Sequence, residues 1–365
     1  MNKIPFNRDL PFNALPDLPP AVDLETPEIF KASIRANKLL AELKGFCQTL
    51  PNPELLLNTI VLQESKESSA IENIVTTQDE LYKATLMGDK VKNQAAKEVL
   101  QYREAMYYGL EELKNKEIIT TNLLVGIMQK LRNSNEGIRR NTGTKLSNPV
   151  TGQVVYTPPE GEELIRAKLF KLEKFINDPE FCELDPLIKM ALLHYQFEAI
   201  HPFSDGNGRT GRILNILYLI QQEMIGLPVL YLSKYIIENK ADYYRLLREV
   251  TEQNNWSDWV LYVVNGVAET SQTTLQKVKR ILEIKATAET ELKALLGTSF
   301  SRELNDLLFS YPYIKIGVLE ESGIAKRQTA SQYLQKIEKS GWLHSFKIGR
   351  DVYYINHKLI DVLSK

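Results

Sequence analysis

His201-Pro-Phe-Ser-Asp-Gly-Asn-Gly-Arg-Thr-Gly-Arg212 decides how this chain is read. The twelve residues hold an imidazole, a carboxylate, three glycines, an amide and two guanidinium groups. Gly206 and Gly208 let the backbone approach a ligand and take unusual dihedral angles. The apolar pattern that follows predicts a helix over Arg212–Glu223. The loop amides then point at an anion at a helix N-terminus. Arg209 and Arg212 add two permanent charges suited to a polyphosphate. Asp205 is one hard carboxylate beside those phosphates, a usual way to hold Mg²⁺. His201 can take a proton at neutral pH. The constellation points to metal-assisted transfer at a nucleotide phosphate with His201 as general base.

The segment before the loop decides between competing motifs. Gly206-x-Gly208-x-x-Gly211 also satisfies the dinucleotide fingerprint, which needs a preceding strand. Leu187–Ile200 is about fourteen residues of Leu, Ile, Met, Ala, Gln and Glu, a buried helix by length and composition. Helix–loop–helix excludes the dinucleotide reading, and no GxxxxGK[ST] phosphate loop is present. The plainer alternative is a glycine-rich turn with His201 packed beside Phe203. So many phosphate-handling groups in one loop favour the ligand.

Outward from this loop, helical patterns cover Leu39–Phe46, Leu55–Leu62, residues 94–114, Glu162–Asn177 and Ala241–Thr251, with one or two longer helices over 258–295. Residues 1–28, with Pro5, Pro11, Pro16, Pro19, Pro20 and Pro27, read as an extended arm, lying over a domain or loose in solvent. Thr144–Leu146 and Gln153–Tyr156 are short strands around an Asn-Pro-Val-Thr-Gly turn, a hairpin signal. Near the C-terminus, helices over Ile316–Gly323 and Lys326–Ser340 precede two strands in Trp342–Ile355, around the turn Gly349-Arg350-Asp351. That is the order of a winged helix-turn-helix. Seven Lys/Arg against two Asp/Glu between 326 and 358 give a local charge of +5. DNA contact through 297–365 and a protein-docking role with solvated charges both stay open; only Lys347 and Arg350 stand near the hairpin tip.

Composition bounds the rest. The 365 residues suggest roughly two to three domains, and 43% apolar content can bury a core without disulfides or structural metals. Forty-five Lys/Arg against 46 Asp/Glu argue against a surface that binds nucleic acid or anionic membrane all over. Cys47 and Cys182 form no framework and suit a reducing cytoplasm. The N-terminus lacks a signal-peptide core, and no apolar run of about 18 residues predicts a membrane span.

HPFSDGNGRTGR matches the Fic family signature, HxFx(D/E)GNGRxxR, at every specified position, and the chain resembles that family over most of its length, including Leu230-Tyr-Leu-Ser-Lys-Tyr-Ile-Ile after the motif. The resemblance implies a mainly α fold: a helical bundle with a β-hairpin flap, plus a small C-terminal winged helix-turn-helix. It divides the chain into an N-terminal helical region (1–110), a catalytic core (111–275), a connecting helix (276–296) and a C-terminal domain (297–365). It implies transfer of AMP from ATP to a Ser, Thr or Tyr hydroxyl of a target protein, with release of pyrophosphate. His201 would deprotonate the hydroxyl and Asp205 would hold Mg²⁺. Gly206, Asn207 and Gly208 would line the anion hole, Asn207 donating to the α-phosphate, with Thr210 and Gly211 beside the nucleotide. Arg209 would grip the β-phosphate and Arg212 would face the γ-phosphate. Thr144, Lys145 and Leu146 would form the target-docking flap, and Tyr243 and Tyr244 resemble residues of the adenine pocket.

Self-inhibited members of the family carry (S/T)xxxE(G/N). Ser68-Ser-Ala-Ile-Glu72-Asn73 fits it within a helix expected at about 60–75, with Ser68 and Glu72 on one helix face. Glu72 would then pair with Arg212 and occupy the γ-phosphate's partner. Other chemistry at the same site, such as AMP removal with Glu72 aligning a water, transfer of UMP, self-modification, or a homodimer that hides or relieves the brake, is compatible with the same residues. A DNA-binding regulator using the C-terminal region is the alternative of a different class.

Overall fold

The computed structural model describes residues 6–48, 54–87, 93–148, 151–348 and 351–364. Expectations placed on Pro5, Pro149, Val150, Gly349 and Arg350 lie outside the described residues.

The organising element is α7 (Pro186–Ile200). Every residue from Leu187 to Ile200 except Glu198 is buried. A helix apolar all round must sit inside a bundle. Asp185 caps it, its side chain accepting from Leu187 N at 2.8 Å, with Pro186 at the first position. Packed around it are α6 (Glu162–Asn177), α8 (Asn207–Gln221), α1 (Pro27–Gln48) and α11 (Trp256–Leu296). The last is one unbroken helix of 41 residues, about 60 Å long, and passes through the boundary expected at 275/276. Next to α8 stand α4 (Gln94–Lys116) and α5 (Thr121–Arg132). The helix α2 (Glu54–Ile71) runs between α4, α8 and α9 (Leu232–Glu238), and α3 (Gln78–Met87) flanks α4. The helix α10 (Lys240–Gln253) follows α9.

The proline-rich arm lies on the bundle rather than in solvent. Phe12, Leu15, Leu18 and Leu24 are buried, Gln196 Nε2 donates to Pro16 O at 2.9 Å, and Phe12 N donates to Thr157 O at 3.0 Å. The flap is the antiparallel pair β1 (Leu146–Ser147) and β2 (Val154–Tyr156), with Leu146 opposite Tyr156. It is shorter than its sequence suggested: Thr144 and Lys145 precede β1.

The C-terminal region runs α12 (Arg302–Ser310), β3 (Tyr313–Lys315), α13 (Ile316–Glu321), α14 (Arg327–Lys339), β4 (His344–Ile348), β5 (Asp351–Ile355) and α15 (His357–Ser364), with sheet order β3-β5-β4. It shares one apolar core with α1, α2, α3 and α11: Leu43, Ile60, Leu62 and Tyr82 pack with Leu304, Phe309, Ile314 and Leu359. Tyr313 OH donates to Asp79 Oδ1 at 2.7 Å, and Gln63 of α2 donates to the carbonyl of Leu363. The helix expected to carry the brake is therefore braced at its upstream end by this region.

Candidate active site

His201 ends α7 in the left-handed conformation, φ 49°, its N–H bonded to Phe197 O at 3.0 Å. A β-carbon makes that conformation costly, and such strain collects at functional positions. It turns the chain so that the imidazole lines a cavity of about 650 Å³. Arg139 holds the turn: its Nε donates to His201 O at 2.8 Å, Nη2 donates to Pro159 O, and its N–H donates to Pro202 O at 2.9 Å. Burial, then the charge of Arg139, lowers the His201 pKa to about 4. That shift keeps the ring neutral at physiological pH, and Nδ1 is buried on the side of the Glu198 backbone. That leaves Nε2 as the nitrogen that can serve as base.

The loop geometry corrects the expected helix start. Gly206, φ 85°, is the N-cap, and α8 begins at Asn207, not Arg212. A left-handed cap is open to glycine at no steric cost, and Thr210 N bonds Gly206 O at 2.9 Å, closing the first turn. Gly208 through Arg212 thus form the opening turns of a helix. Asn207 does not reach into the cavity: its Oδ1 accepts from Phe203 N at 2.9 Å and its Nδ2 donates to Phe203 O at 2.8 Å. These two bonds shape the loop, and the amide keeps one further N–H. Asn207→Ala should strip two buried bonds and cost about 1–3 kcal/mol, read as a lower thermal midpoint and faster amide exchange at Phe203. Thr210 is buried and away from the cavity. Gly211 faces α7: a β-carbon there would lie 2.6 Å from Glu198 Oε1 and 3.1 Å from Phe197 Cδ1, so this glycine serves helix packing rather than the nucleotide.

Arg212 points to the cavity and is held wholly by α2 and the turn after it. Nε donates to Ser68 Oγ at 2.7 Å, Nη2 donates to Ser68 O at 2.9 Å, and Nη2 meets Glu72 Oε1 at 2.9 Å. Burial works against this charge, but Glu72 foremost outweighs it and raises the guanidinium pKa. Ser68, within α2, and Glu72, one residue past its end, reach the same guanidinium. The helix stops at Ile71 because Asn73 turns left-handed, φ 63°, and Ile74 N bonds back to Ser69 O at 3.0 Å, a helix-terminating pattern. Glu72 sits in that turn, 36% exposed by side chain against 2% for Arg212. A β-carbon on Gly208 would lie 2.3 Å from Glu72 Oε1. The bare backbone at Gly208 is what admits the carboxylate to the helix N-terminus, where an anion is favoured.

Glu72, Asn73, Lys145, Leu146, Tyr243 and Tyr244 line the same cavity as His201, Gly208 and Arg212. The two tyrosines divide. Tyr243 is 2% exposed with its hydroxyl 2.9 Å from His194 Nε2, whereas Tyr244 is 47% exposed and presents an open ring. Burial lowers the His194 pKa to about 3, so that contact is between neutral groups.

Asp205, half exposed, and Arg209, buried, do not line this cavity. Asp205 Oδ2 meets Arg132 Nη1 at 2.7 Å and its Oδ1 accepts from Gly206 N at 2.6 Å. Arg209 is 2% exposed, 3.5 Å from Glu98 and 3.7 Å from Asp205. Among the described residues no three His, Cys, Asp or Glu side chains gather as a metal site. One half-exposed carboxylate does not suit a resident ion but suits Mg²⁺ arriving on a triphosphate.

Several residues carried no sequence signal. Arg132, Arg139 and Glu98 act across the fold. Glu198 lines the cavity with Oε1 unbonded, and burial raises its pKa to about 7, against the pull of Arg212. Glu64, on α2 one turn before Ser68, accepts from Ser233 N at 3.0 Å and also from Ser233 Oγ; burial, against those bonds, raises its pKa to about 7.

Comparison with known proteins places this geometry. Three family descriptions match in succession: Fic/DOC family N-terminal over 30–111, Fic/DOC family over 114–219, and protein adenylyltransferase SoFic-like, C-terminal domain, over 284–359. A probable protein adenylyltransferase of Aquifex aeolicus is 30% identical over 191 residues, 50% of this chain and 55% of that protein. Protein adenylyltransferase fic-1 of Caenorhabditis elegans is 31% identical over 119 residues, 33% of this chain and 21% of that one. The chain thus spans about a fifth to a half of the length of these relatives. Among solved structures, a Fic family protein from Desulfovibrio desulfuricans aligns with TM-score 0.57 at 21% identity, over 92% of this chain and 98% of that chain. Fic-1 from C. elegans aligns with TM-score 0.53 at 19% identity, over 69% and 74%; at such identities the likeness is one of fold. With the full signature at the turn between α7 and α8 and family matches along most of its length, the chain belongs to the Fic family.

Proposed function

We propose that the protein transfers AMP from ATP to a hydroxyl side chain of a target protein, releasing pyrophosphate, and that Glu72 restrains it. The observation that carries this reading is the His201 imidazole sharing one cavity with an Arg212 that Glu72 holds at 2.9 Å. His201 Nε2 takes the proton of the hydroxyl as its oxygen attacks the α-phosphorus. The backbone N–H groups at the start of α8 receive the negative charge, and the lining turns one face of the cavity toward the triphosphate. Asp205 would hold Mg²⁺, which when bound neutralises phosphate charge; Arg132 must release Asp205 for that. Tyr244 offers its open ring to the base. Lys145 and Leu146 at the flap align the target backbone.

Glu72 competes with the γ-phosphate for Arg212. Its partial exposure makes the pair weaker than a fully buried one, hence reversible. Mass spectrometry of a lysate treated with Glu72→Gly protein and ATP should show target proteins that gain one AMP. Loss of AMP from pre-modified proteins, or gain of another nucleotide in preference, would replace this reading.

The His201 pKa sets a pH dependence. The active form is neutral, so activity is complete above the free-enzyme pKa and is lost as pH falls through about 4. For Glu72→Gly, kcat/KM for ATP should stay flat from pH 8 down to about pH 6. A profile already halved near pH 6.5 would contradict a burial-depressed imidazole.

A further inference from the structure

We infer that the outer face of α14 binds duplex DNA. The C-terminal region places a short helix, a turn and α14 beside an antiparallel hairpin, with β3 closing the sheet on the far edge of β5. Gly323, φ 71°, makes the turn between α13 and α14. Ala330, Leu334 and Ile337 bury one side of α14. The opposite side exposes Gln328, Gln332, Gln335, Lys336 and Lys339, and Arg327 stands exposed in the first turn, on the flank of the buried stripe.

Charge and chemistry select the occupant. The chain as a whole is at −1, yet 326–358 carries +5. The single acid of α14, Glu338, is turned to the hairpin, accepting from Ser345 N at 2.7 Å. Glu320 of α13 approaches Arg327 only to 3.7 Å, and Arg327 stays 78% exposed. Guanidinium and amide side chains at helical spacing are the groups that pair with base edges, and lysines flanking them meet phosphates. A helix of 13 residues is about 20 Å long and fits a major groove about 12 Å wide. A protein-docking face would instead expose aromatic or aliphatic anchors, and this face has no fully exposed one. Lys347, exposed on β4, lies on the hairpin beside it. The other elements pack inward, α12 on α2, β3 on α3 and α15 on α11, and α14 meets α11 by its apolar side. The polar side of α14 is left facing solvent.

The test uses the full-length protein and a fluorescein-labelled 25-base-pair duplex of mixed sequence, followed by anisotropy. Binding should appear in the micromolar range at about 50 mM salt. Contact with about four phosphates predicts a log–log salt slope near −3.6. Arg327→Glu with Lys336→Glu should weaken binding about tenfold or more and flatten the slope by about two. These are surface positions, and unchanged circular dichroism separates lost binding from lost fold. Absence of binding at 50 mM salt overturns the inference, as does a double variant that binds like the parent. Displacement of the duplex by an equal charge concentration of polyglutamate would also overturn it and make the face a dock for acidic protein. None of these outcomes depends on the chemistry at His201.

Discussion

Glu72→Gly protein should incorporate labelled AMP into target proteins on the order of a hundredfold faster than the parent. The reason lies in how Arg212 is held. Of its three bonds to the α2 region, two come from Ser68 and one from Glu72. Removing the carboxylate leaves the guanidinium aligned by the Ser68 hydroxyl and carbonyl, with the edge that met Glu72 open to a phosphate. It also removes a negative charge from the spot where the γ-phosphate would sit. A fully buried pair broken on one side costs 3–5 kcal/mol. Glu72 is about a third exposed, so a smaller figure applies, about 2.7 kcal/mol for a hundredfold effect. Calorimetric titration with ATP separates the two parts of the effect: tighter binding reports the freed arginine, and faster turnover at saturation reports a realigned α-phosphate. Equal AMP incorporation by parent and variant would remove the brake from this account.

In the Glu72→Gly background, His201→Ala should lower the transfer rate by about 10²–10⁴ while ATP affinity changes little. Among the described residues that line the cavity, the imidazole is the base that is neutral and ready at pH 7; Glu198, raised to about 7, stands one turn back on α7 and against Gly211. Alanine brings the same β-carbon to the left-handed backbone, and Arg139 grips the main-chain carbonyl of residue 201 rather than its side chain. The loop therefore keeps its shape. Retained ATP binding with lost transfer identifies a base; a parallel loss of both would assign His201 to nucleotide binding instead.

What could be read along the chain follows distance along the chain. The apolar run of Leu187–Ile200 indicated a buried helix, and α7 is one, because thirteen inward-facing residues can be satisfied only in a bundle interior. The hairpin at 144–156 and the helix-helix-hairpin order after 316 were visible from turn residues and alternation. The start of α8 was misplaced by five residues, since glycines that look like loop also serve as a cap and a close-packed first turn. Asn207 was assigned to a phosphate, and spacing cannot show that its amide also bonds Phe203 on both its oxygen and its nitrogen. The Ser68–Glu72 spacing suggested one helix face, and both side chains do meet Arg212; what spacing could not show is that a left-handed Asn73 ends the helix at Ile71 and leaves Glu72 in the turn beside Gly208.

By itself the sequence determined the inventory of chemistry: an imidazole, an acid, small residues and two arginines in one short loop, and a distant serine–glutamate motif. Those depend on residue identity and local spacing, which the chain carries in one dimension. Only the folded molecule decided which charge meets which. Arg212 reaches Ser68 and Glu72 across 144 and 140 residues, Arg132 meets Asp205, Arg139 clamps His201, and Gln63 ties α2 to Leu363 across 300 residues. Such contacts follow from helices packing side by side, and packing is set by shape and burial over the whole bundle, which no local pattern records.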